Sequence, residues 1–230
     1  MTSEHSIHLG NRLRLCAAYV RPQAALCDVG TDHAYLPIWL QQQSRIHCAL
    51  ACDVRSGPLE SAKTNIAKFH LQDHIQTRLS DGLAAVQQAE AEDFVIAGMG
   101  GELIARIVAE TPWLKNRQKQ LILQPMTRPE HLRAAMAKNG FALLQEDAVC
   151  DENRVYTAML YRYDPLHAPI DATQCYIGAL SGKTAEERRY LKRQADFLQK
   201  RIAGFLHAQQ QEEADRLQAI LLQLQKCIQE

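Results

Sequence analysis

The distribution of hydrophobic and polar positions divides the chain into two regions of different periodicity. From about residue 9 to residue 163, short apolar runs typical of β-strands alternate with stretches of helical periodicity. The apolar runs predict seven strands, at residues 24–29, 46–52, 75–79, 94–97, 120–123, 141–149 and 155–163. Regular alternation of strands and helices is typical of a parallel, doubly wound sheet. We therefore predict an α/β fold for this region.

The last two predicted strands differ from the first five. Only a short segment around residues 151–154 separates them. A connection of this length permits a hairpin, whereas a parallel crossover needs a dozen residues or more. We therefore expect the last strand to run antiparallel.

Beyond residue 163 the pattern changes to a polar segment followed by two long helical repeats. Residues 164–183 contain Pro, Gly and Ser at a density that favours a linker. Thr184 and Glu187 have the spacing of a capping box, which predicts the start of a helix. Two seams of apolar residues at alternating spacings of four and three follow, namely Leu191, Ala195, Leu198, Ile202, Phe205 and then Ala214, Leu217, Leu221, Leu224, Ile228.

These seams are typical of a coiled coil. One continuous helix would satisfy them, but we favour a turn near residues 207–211 that folds the segment into an antiparallel hairpin. The predicted organisation is a sheet domain at residues 1–163, a linker at 164–183 and a helical coiled-coil hairpin at 184–230. The hairpin is either a packing and dimerisation device or an arm that binds a partner. We expect a monomer, or a weak dimer through the coiled coil.

Composition indicates a globular protein and restricts its setting. The hydrophobic fraction is 47% and the charged fraction 23%, which argues against global disorder. The N-terminus has no basic and apolar signal pattern, and no window approaches the roughly 18 apolar residues of a membrane span. We therefore expect a cytoplasmic protein without a membrane partner. Seven cysteines without a C-x-x-C pair predict free thiols, and we predict no metal site.

The charge balance is zero overall but uneven along the chain. There are 26 basic and 26 acidic residues, so net charge alone indicates no partner. Residues 101–140 and 182–206, however, each hold seven basic residues against three acidic ones, and residues 1–22 hold three against one. Basic stretches of this kind are candidate phosphate contacts. The candidates for RNA binding are Arg12, Arg14, Arg106, Arg128, Arg133, Arg188, Arg189, Lys192 and Arg193.

The turn after the first strand points to a cationic cofactor. It contains Asp28, Gly30, Asp32 and His33. A dinucleotide fold needs three glycines here, for the tight turn, for the approach of the pyrophosphate and for helix packing. A carboxylate repels a pyrophosphate but attracts a sulfonium or an ammonium group. The turn therefore favours S-adenosylmethionine over NAD.

Polar residues follow the next two strands. Asp53, with Val54 beside it, stands 23 residues beyond Gly30, close to the spacing at which an acid contacts ribose hydroxyls. Asp81 and Gly82 follow the third strand, where the carboxylate could accept a hydrogen bond from an adenine amino group, with Leu83 covering the ring. Alone, an Asp-Gly pair is more often a plain turn. Acids at the ends of three successive strands favour a shared binding site.

The fourth strand leads into a glycine-rich segment, Gly98-Met99-Gly100-Gly101. Three glycines in four residues cost backbone entropy. We expect a loop here that lets the methyl donor and its acceptor approach the main chain. The alternative is a helix entry that needs unusual dihedral angles.

Together these motifs resemble the bacterial tRNA adenine-22 N1-methyltransferases. The resemblance covers about residues 8–163 and is carried by the segment Asp28-Val-Gly-Thr-Asp-His-Ala-Tyr-Leu-Pro-Ile, by Gly98-Met-Gly-Gly, by Leu123-Gln-Pro with Leu132-Arg, by Asn139-Gly-Phe and by Glu152 with Tyr156. It implies a Rossmann-like class I methyltransferase sheet, S-adenosylmethionine as cofactor and tRNA as substrate. One departure is Met126, where some members have Asn after Gln-Pro.

The chemistry that the resemblance implies suits these residues. Adenine N1 has a lone pair, so methyl transfer needs positioning more than deprotonation. Methylation makes the ring cationic, and a carboxylate could stabilise that charge or accept the proton lost from N6. Asp32 is the candidate for this catalytic role, although it could instead hold the methionine part of the cofactor. The glycine-rich loop could admit the unpaired base.

Two alternatives remain open from the sequence. One is a methyltransferase with the same cofactor that acts on another RNA, on DNA or on a small molecule. The absence of an Asp/Asn-Pro-Pro-Tyr/Phe pattern after the fourth strand argues against methylation of an exocyclic amine. The other is a non-catalytic nucleotide-binding protein whose coiled coil recruits a partner.

Overall fold

The fold is a seven-stranded sheet flanked by helices, followed by a helical hairpin. The computed structural model describes residues 7–229, so residues 1–6 and 230 of the predicted domains lie outside the described residues. The strands are β1 (Ala24–Val29), β2 (Ile46–Asp53), β3 (Ile75–Leu79), β4 (Asp93–Gly100), β5 (Gln120–Thr127), β6 (Phe141–Asp151) and β7 (Arg154–Tyr163). The helices are α1 (Asn11–Tyr19), α2 (Tyr35–Gln42), α3 (Ser56–Lys68), α4 (Gly101–Ala109), α5 (Pro129–Lys138), α6 (Ala172–Ile177), α7 (Ala185–His207) and α8 (Gln211–Gln229).

The order of the strands creates a crevice in the middle of the sheet. The order is β3-β2-β1-β4-β5-β7-β6. The first five strands pair in parallel, whereas β7 pairs antiparallel with both β5 and β6. The prediction of a doubly wound sheet whose last strand is antiparallel is therefore confirmed. The order in which successive strands are added to the sheet reverses between β1 and β4, and this switch point is where open α/β sheets bind ligands.

Both faces of the central strands β1, β2, β4 and β5 are buried, which explains their nearly continuous apolar runs. Along β4, Phe94 and Ile96 join the cluster that contains α4 and α5. Val95, between them, joins the opposite cluster, which contains α1, α2 and part of α3. Successive side chains point to opposite faces. A central strand with a helix layer on each side therefore has few positions for polar residues.

The predicted loop at residues 98–101 is not a loop. β4 continues through Gly100, and α4 begins directly at Gly101. β5 likewise continues to Thr127, four residues beyond the predicted end. The register shifts around Met99, opposite Pro125, and Gly98 has a φ of +80°. Because Pro125 has no N–H to donate, the two strands can continue side by side only with such an irregularity.

The hairpin turn lies at residues 208–210, between α7 and α8. The Thr184 hydroxyl accepts the N–H of Glu187 at 3.1 Å, as expected of an N-cap. The Glu187 carboxylate does not return to Thr184, however. It accepts from the backbone N–H groups of Ser181 and Lys183. Its second role is thus to order the segment before the helix.

The predicted linker is in part a structural element. It contains α6, which has its own capping box at Asp171 and Gln174. Tyr176 and Leu180 are buried in the cluster that also contains the seams of α7 and α8 and Val155 of β7. The linker therefore packs the hairpin onto the sheet domain. Within residues 7–229, every helix is too short or too polar to span a bilayer.

Arg133 is not a phosphate contact, because it lies in the interior. Its side chain is 1% exposed, and its Nη2 lies 2.6 Å from Oε1 of Glu146. Nη1 donates to the carbonyl of Cys175 at 2.7 Å. The Glu146 carboxylate also accepts from the Thr157 hydroxyl and from the N–H of Ala179. A buried charge must be paired in this way, and the network joins α5, β6, β7 and the segment around α6.

Candidate active site

Two adjoining clefts open at the carboxyl ends of the central strands. The larger has a volume of about 340 Å³ and lies at the ends of β1, β2, β3 and β4. The smaller, of about 100 Å³, lies between α1 and the β1–α2 turn. Gly30 and Ala97 line both clefts. The predicted cofactor residues that line the larger cleft are Gly30, Asp53, Val54, Asp81, Gly82, Gly98 and Met99, and those that line the smaller are Asp28, Gly30, Asp32 and His33.

Two buried carboxylates end β1 and β2. Asp28 is 8% exposed and Asp53 7% exposed. Burial raises the pKa of Asp28 from its usual value to about 6, against the lowering effect of a hydrogen bond with Thr31, and the charge of Asp53 raises it further. Asp53 accepts the N–H of Arg55 at 2.8 Å. The site therefore favours a cation beside Asp28, because a positive charge would stabilise the ionised carboxylate.

The turn after β1 requires a glycine at residue 30. Its φ is +79°, in the left-handed region that side chains rarely adopt. The methyl end of the Met99 side chain also occupies the space that a Cβ at residue 30 would need. Gly30 and Met99 thus meet where the two clefts join, and both line the larger one. The single glycine of this turn is explained by its backbone angle and by that close approach.

The far end of the larger cleft is lined by Asp81 and apolar residues of α4. Asp81 is exposed and lies 3.2 Å from the guanidinium of Arg106. Leu83, which we expected to cover an adenine ring, is 2% exposed and belongs to the core. Leu103 and Ile107 line the cleft in its place. The sequence missed them because they come from the helix after β4, far from Asp81 along the chain.

Arg106 was predicted to contact RNA phosphate, but it lies beside the cofactor cleft. Besides Asp81, it contacts Glu110 at 3.3 Å. Two carboxylates therefore neutralise its charge. A guanidinium in this position is better suited to holding Asp81 than to attracting a phosphate.

The smaller cleft contains the candidate catalytic group. Asp32 is exposed, and its carboxylate lies 3.3 Å from Nε2 of His33. The His33 ring stacks on Tyr35 with a centroid distance of 5.0 Å. Ala34, between them, has a φ of +57°, which is strained for a residue with a side chain. Local strain of this kind is frequent at functional sites and supports a specific role for the turn.

Arg12 closes the other side of the smaller cleft. Its Nη1 donates to Oε1 of the fully buried Gln124 at 2.6 Å. The same oxygen accepts the N–H of Gly98 at 3.1 Å, and the Arg12 guanidinium lies 5.9 Å from the ring centroid of Tyr156. Arg12 was predicted as an RNA contact from charge alone. The structure places it inside the cleft, in contact with Gln124 and Tyr156.

Gly100 and Gly101 do not line either cleft. A Cβ on Gly100 would lie 3.2 Å from the Thr127 hydroxyl, and one on Gly101 would meet the backbone of Arg128. The two glycines therefore allow the end of β4 and the start of α4 to pack against the end of β5. Their cofactor contact stays a prediction, and the role that the structure gives them is close packing.

The remaining basic candidates lie outside the clefts. Arg14 is exposed on α1, and Arg128 contacts both Glu102 and Glu130 at 3.3 Å. In the run on α7, Lys192 lies 3.8 Å from Asp196. The three arginines of that run donate to main-chain carbonyls, Arg188 to Gly182, Arg189 to Asn153 and Arg193 to Val155.

These carbonyl contacts give the run a structural role that its charge did not predict. Two of them attach α7 to the hairpin between β6 and β7. A carbonyl does not neutralise a guanidinium, so the arginines keep their positive charge.

The carboxylates of the clefts, which accept hydrogen bonds and attract cations, fit S-adenosylmethionine. Its adenosine part offers hydroxyl and amino donors, which suit the acceptors Asp53 and Asp81. Its sulfonium and ammonium groups suit Asp28 and Asp32. The volume of the larger cleft lies within the range of small-molecule sites, and Val54, Leu103 and Ile107 supply apolar surface for a ring.

The chain is similar to known methyltransferases over most of its length. Residues 9–159 match the family model described as "Methyltransferase domain". The tRNA (adenine(22)-N(1))-methyltransferase of Bacillus subtilis is 32% identical over 206 residues, which is 89% of this chain and 84% of the relative.

Solved structures give the same picture. The crystal structure of the B. subtilis M1A22 tRNA methyltransferase TrmK is 28% identical, with a TM-score of 0.85 over 96% of this chain and 99% of that one. The Streptococcus pneumoniae Sp1610 structure in complex with S-adenosyl-L-methionine is 30% identical, with a TM-score of 0.82 over 96% of this chain and all of that one.

Proposed function

The chain belongs to the family of bacterial tRNA (adenine(22)-N1)-methyltransferases, and we propose that it methylates N1 of adenine 22 in tRNA with S-adenosylmethionine as donor. The observation that carries this proposal is the pair of joined clefts at the carboxyl ends of β1, β2 and β4. Carboxylates line both clefts, and they suit a cationic nucleoside. Neither a phosphate-rich dinucleotide nor a purely structural role explains that set of residues.

The residues of the two clefts divide the binding of the cofactor between them. Asp53 and Asp81 accept hydrogen bonds from the adenosine part, with Val54, Gly82 and Met99 around it. Asp28, Gly30, Asp32 and His33 surround the methionine part. S-adenosylmethionine supplies the methyl group on a sulfonium, which is already activated for transfer. The enzyme's own contribution is therefore to orient the two reactants and to exclude water.

The acceptor nitrogen needs no base before transfer, because its lone pair is free once the adenine is unpaired. After transfer the ring is cationic. Asp32 is the exposed carboxylate of the smaller cleft, where it can stabilise that charge or accept a proton from N6. His33 contacts the same carboxylate and orients it. Arg12 fixes the opposite wall through Gln124, which keeps Gly98 in place.

The tRNA itself is held by cations beyond the clefts. The candidates are the exposed Arg14 and the α7 arginines Arg188, Arg189 and Arg193, which donate to main-chain carbonyls and keep their charge. Arg128 and Lys192 are weaker candidates, because carboxylates already pair with them. Contacts of this kind are independent of sequence and weaken with salt.

We propose that the protein acts as a monomer. The seam residues Leu191, Leu198, Leu217 and Leu224 are buried in the cluster formed by α7 and α8 within one chain. A coiled coil that buries its apolar seam internally has little left to bury against a second copy.

The test is methyl transfer to unmodified tRNA. The full chain is incubated with labelled S-adenosylmethionine and a tRNA transcript with adenine at position 22, and the nucleosides are then analysed. We expect 1-methyladenosine, and none on a matched transcript with guanine at position 22. The Asp53→Ala variant controls for contaminating activity. Label on another nucleoside, or equal label on both transcripts, would contradict the substrate assignment.

A further inference from the structure

A third cleft lies beside the active site, between the end of β5 and α7. It has a volume of about 460 Å³, and we call it the α7 groove. Met126, Thr127 and Arg128 form one wall, and Arg193, Phe197 and Lys200 form the other. None of the functions assigned above uses Phe197 or Lys200. The groove therefore requires an explanation of its own.

The α7 groove begins on the strand next to the one that lines the catalytic clefts. Met99 and Gly100 of β4 pair with Pro125 and Thr127 of β5. Met99 lines the cofactor cleft on one side of this pair, and Thr127 lines the α7 groove on the other. Neighbouring strands lie about 4.8 Å apart. A bound polymer that places one of its units beside the cofactor cleft can thus place a nearby unit in the α7 groove.

The charge of the groove suits a polyanion. Its two acids are already paired, Glu130 with Arg128 at 3.3 Å and Asp196 with Lys192 at 3.8 Å. Within residues 7–229, no carboxylate lies within salt-bridge distance of Arg193 or Lys200. Arg193 donates to the carbonyl of Val155, which fixes its position without neutralising it. Two cations are therefore left to attract phosphate.

Phe197 gives the groove a stacking surface. Phe197 is 41% exposed, so its ring is accessible to a ligand. The guanidinium of Arg201 lies 5.8 Å from the ring centroid and holds its orientation. Aromatic rings next to unpaired cations are the combination that binds single-stranded nucleic acid, because every base has a π-face.

We propose that the α7 groove binds one unpaired nucleotide of the RNA substrate other than the methylated adenosine, with its base on Phe197 and its phosphate near Arg193 and Lys200. This proposal rests on the proposed function, since it assumes an RNA substrate. The walls of the groove are held by the buried Arg133 and Glu146 network, which joins α5 to the segment before α7. The groove is therefore preformed, and binding there costs little reorganisation.

The test compares tRNA binding by the full chain and its variants, measured by fluorescence anisotropy with labelled transcript. Phe197→Ala should weaken binding about 10-fold, and Phe197→Tyr should restore it. Lys200→Gln should lower the slope of log affinity against log salt by about 0.7 to 0.9. Affinity for S-adenosylmethionine, measured by calorimetry, should not change in these variants.

Leu206→Ala is the matched control, because Leu206 is 48% exposed on the same helix but does not line the groove. If Phe197→Ala and Leu206→Ala both bound the tRNA transcript with wild-type affinity, the proposal would be overturned. The groove would then bind another partner, such as a protein. The proposed function fails separately, if the wild-type chain forms no 1-methyladenosine. The effect of Phe197→Ala on binding of the same RNA would still decide the role of the groove.

Discussion

Nη2 of Arg133 lies 2.6 Å from Oε1 of Glu146, and neither side chain is more than 1% exposed. Desolvation lowers the pKa of Arg133, but the charge of Glu146 and a hydrogen bond to it outweigh this, and the net shift is upward. Arg133 thus stays cationic in the interior, where its charge depends on the Glu146 carboxylate. The pair also links the sheet domain to the segment that leads into the hairpin.

Replacing Arg133 by Met should therefore destabilise the protein strongly. The change leaves the Glu146 carboxylate buried without its partner, and such losses cost about 3 to 5 kcal/mol. Urea denaturation followed by circular dichroism measures the free energy of unfolding. Arg106→Met is the matched control at an exposed pair and should cost less than about 1 kcal/mol. A loss at Arg133 no larger than at Arg106 would contradict a structural role for the buried pair.

The binding of S-adenosylmethionine should depend on pH through Asp28. Because its pKa is raised to about 6, Asp28 is largely protonated at pH 5 and ionised at pH 7.5. The cationic cofactor favours the ionised form, so affinity should rise about 10-fold between these pH values. Calorimetry across the range measures it. The Asp28→Asn variant should show weak binding with a flatter pH profile, and a steep profile in that variant would point to another group.

The stability of the free protein should change in the opposite direction. The folded pKa of Asp28 lies above its usual value of 3.8, so the stabilising contribution is complete below pH 3.8 and is lost as pH rises through 6. Between pH 5 and pH 7.5, wild type should lose about 1 kcal/mol relative to Asp28→Asn. Thermal unfolding of both proteins without cofactor checks this difference. Parallel pH dependence of the two proteins would exclude Asp28 as the cause.

A side chain at residue 30 should disturb the first turn. Gly30→Ala forces a Cβ into the space of the Met99 methyl group and into a left-handed backbone angle. The expected cost is about 1 to 2 kcal/mol of stability, together with weaker binding of S-adenosylmethionine. Gly204→Ala is the control in the last turn of α7, where a Cβ would meet nothing within 4 Å. That change should instead stabilise the protein by about 0.4 to 1 kcal/mol, because alanine restricts the unfolded chain.

Steady-state kinetics can distinguish a catalytic role of Asp32 from a role in cofactor binding. If its carboxylate stabilises the methylated ring or accepts its proton, Asp32→Asn should lower kcat by about 100-fold with little change in the KM for S-adenosylmethionine. If it only holds the cofactor, that KM should rise and kcat should stay constant. Glu60→Gln, an exposed carboxylate on α3, is the control and should leave both constants unchanged.

The central strands were predictable because burial on both faces imposes their apolar pattern. Each strand begins within one residue of the predicted start. The ends of β4 and β5 were not predictable, since Gly98 and Pro125 read locally as loop residues. Their pairing depends on the neighbouring strand and on the Gln124 side chain, which accepts the Gly98 N–H. Local propensity cannot reveal such a partner.

The candidate site was predicted where its residues follow strands, because the carboxyl ends of parallel strands meet at one edge. Asp28, Asp53 and Asp81 illustrate this rule. Leu103, Ile107 and Gln124 were not assigned to the site, although Gln124 belongs to the Leu123-Gln-Pro motif of the resemblance. Arg133 lies three residues before the buried Met136, so helical periodicity places it on the buried face of α5. Its charge instead suggested a position on the surface.

The sequence by itself determined the fold class, the family and the cofactor, because these depend on periodicity and on motifs at the strand ends. Only the tertiary structure decided what each charge does. Arg12 lies in the cleft, Arg106 is paired with Asp81, Arg133 is buried, and Arg193 and Lys200 remain without carboxylate partners in the described residues. The physical reason is that the effect of a charge depends on its burial and on neighbours distant in sequence, which no local pattern records.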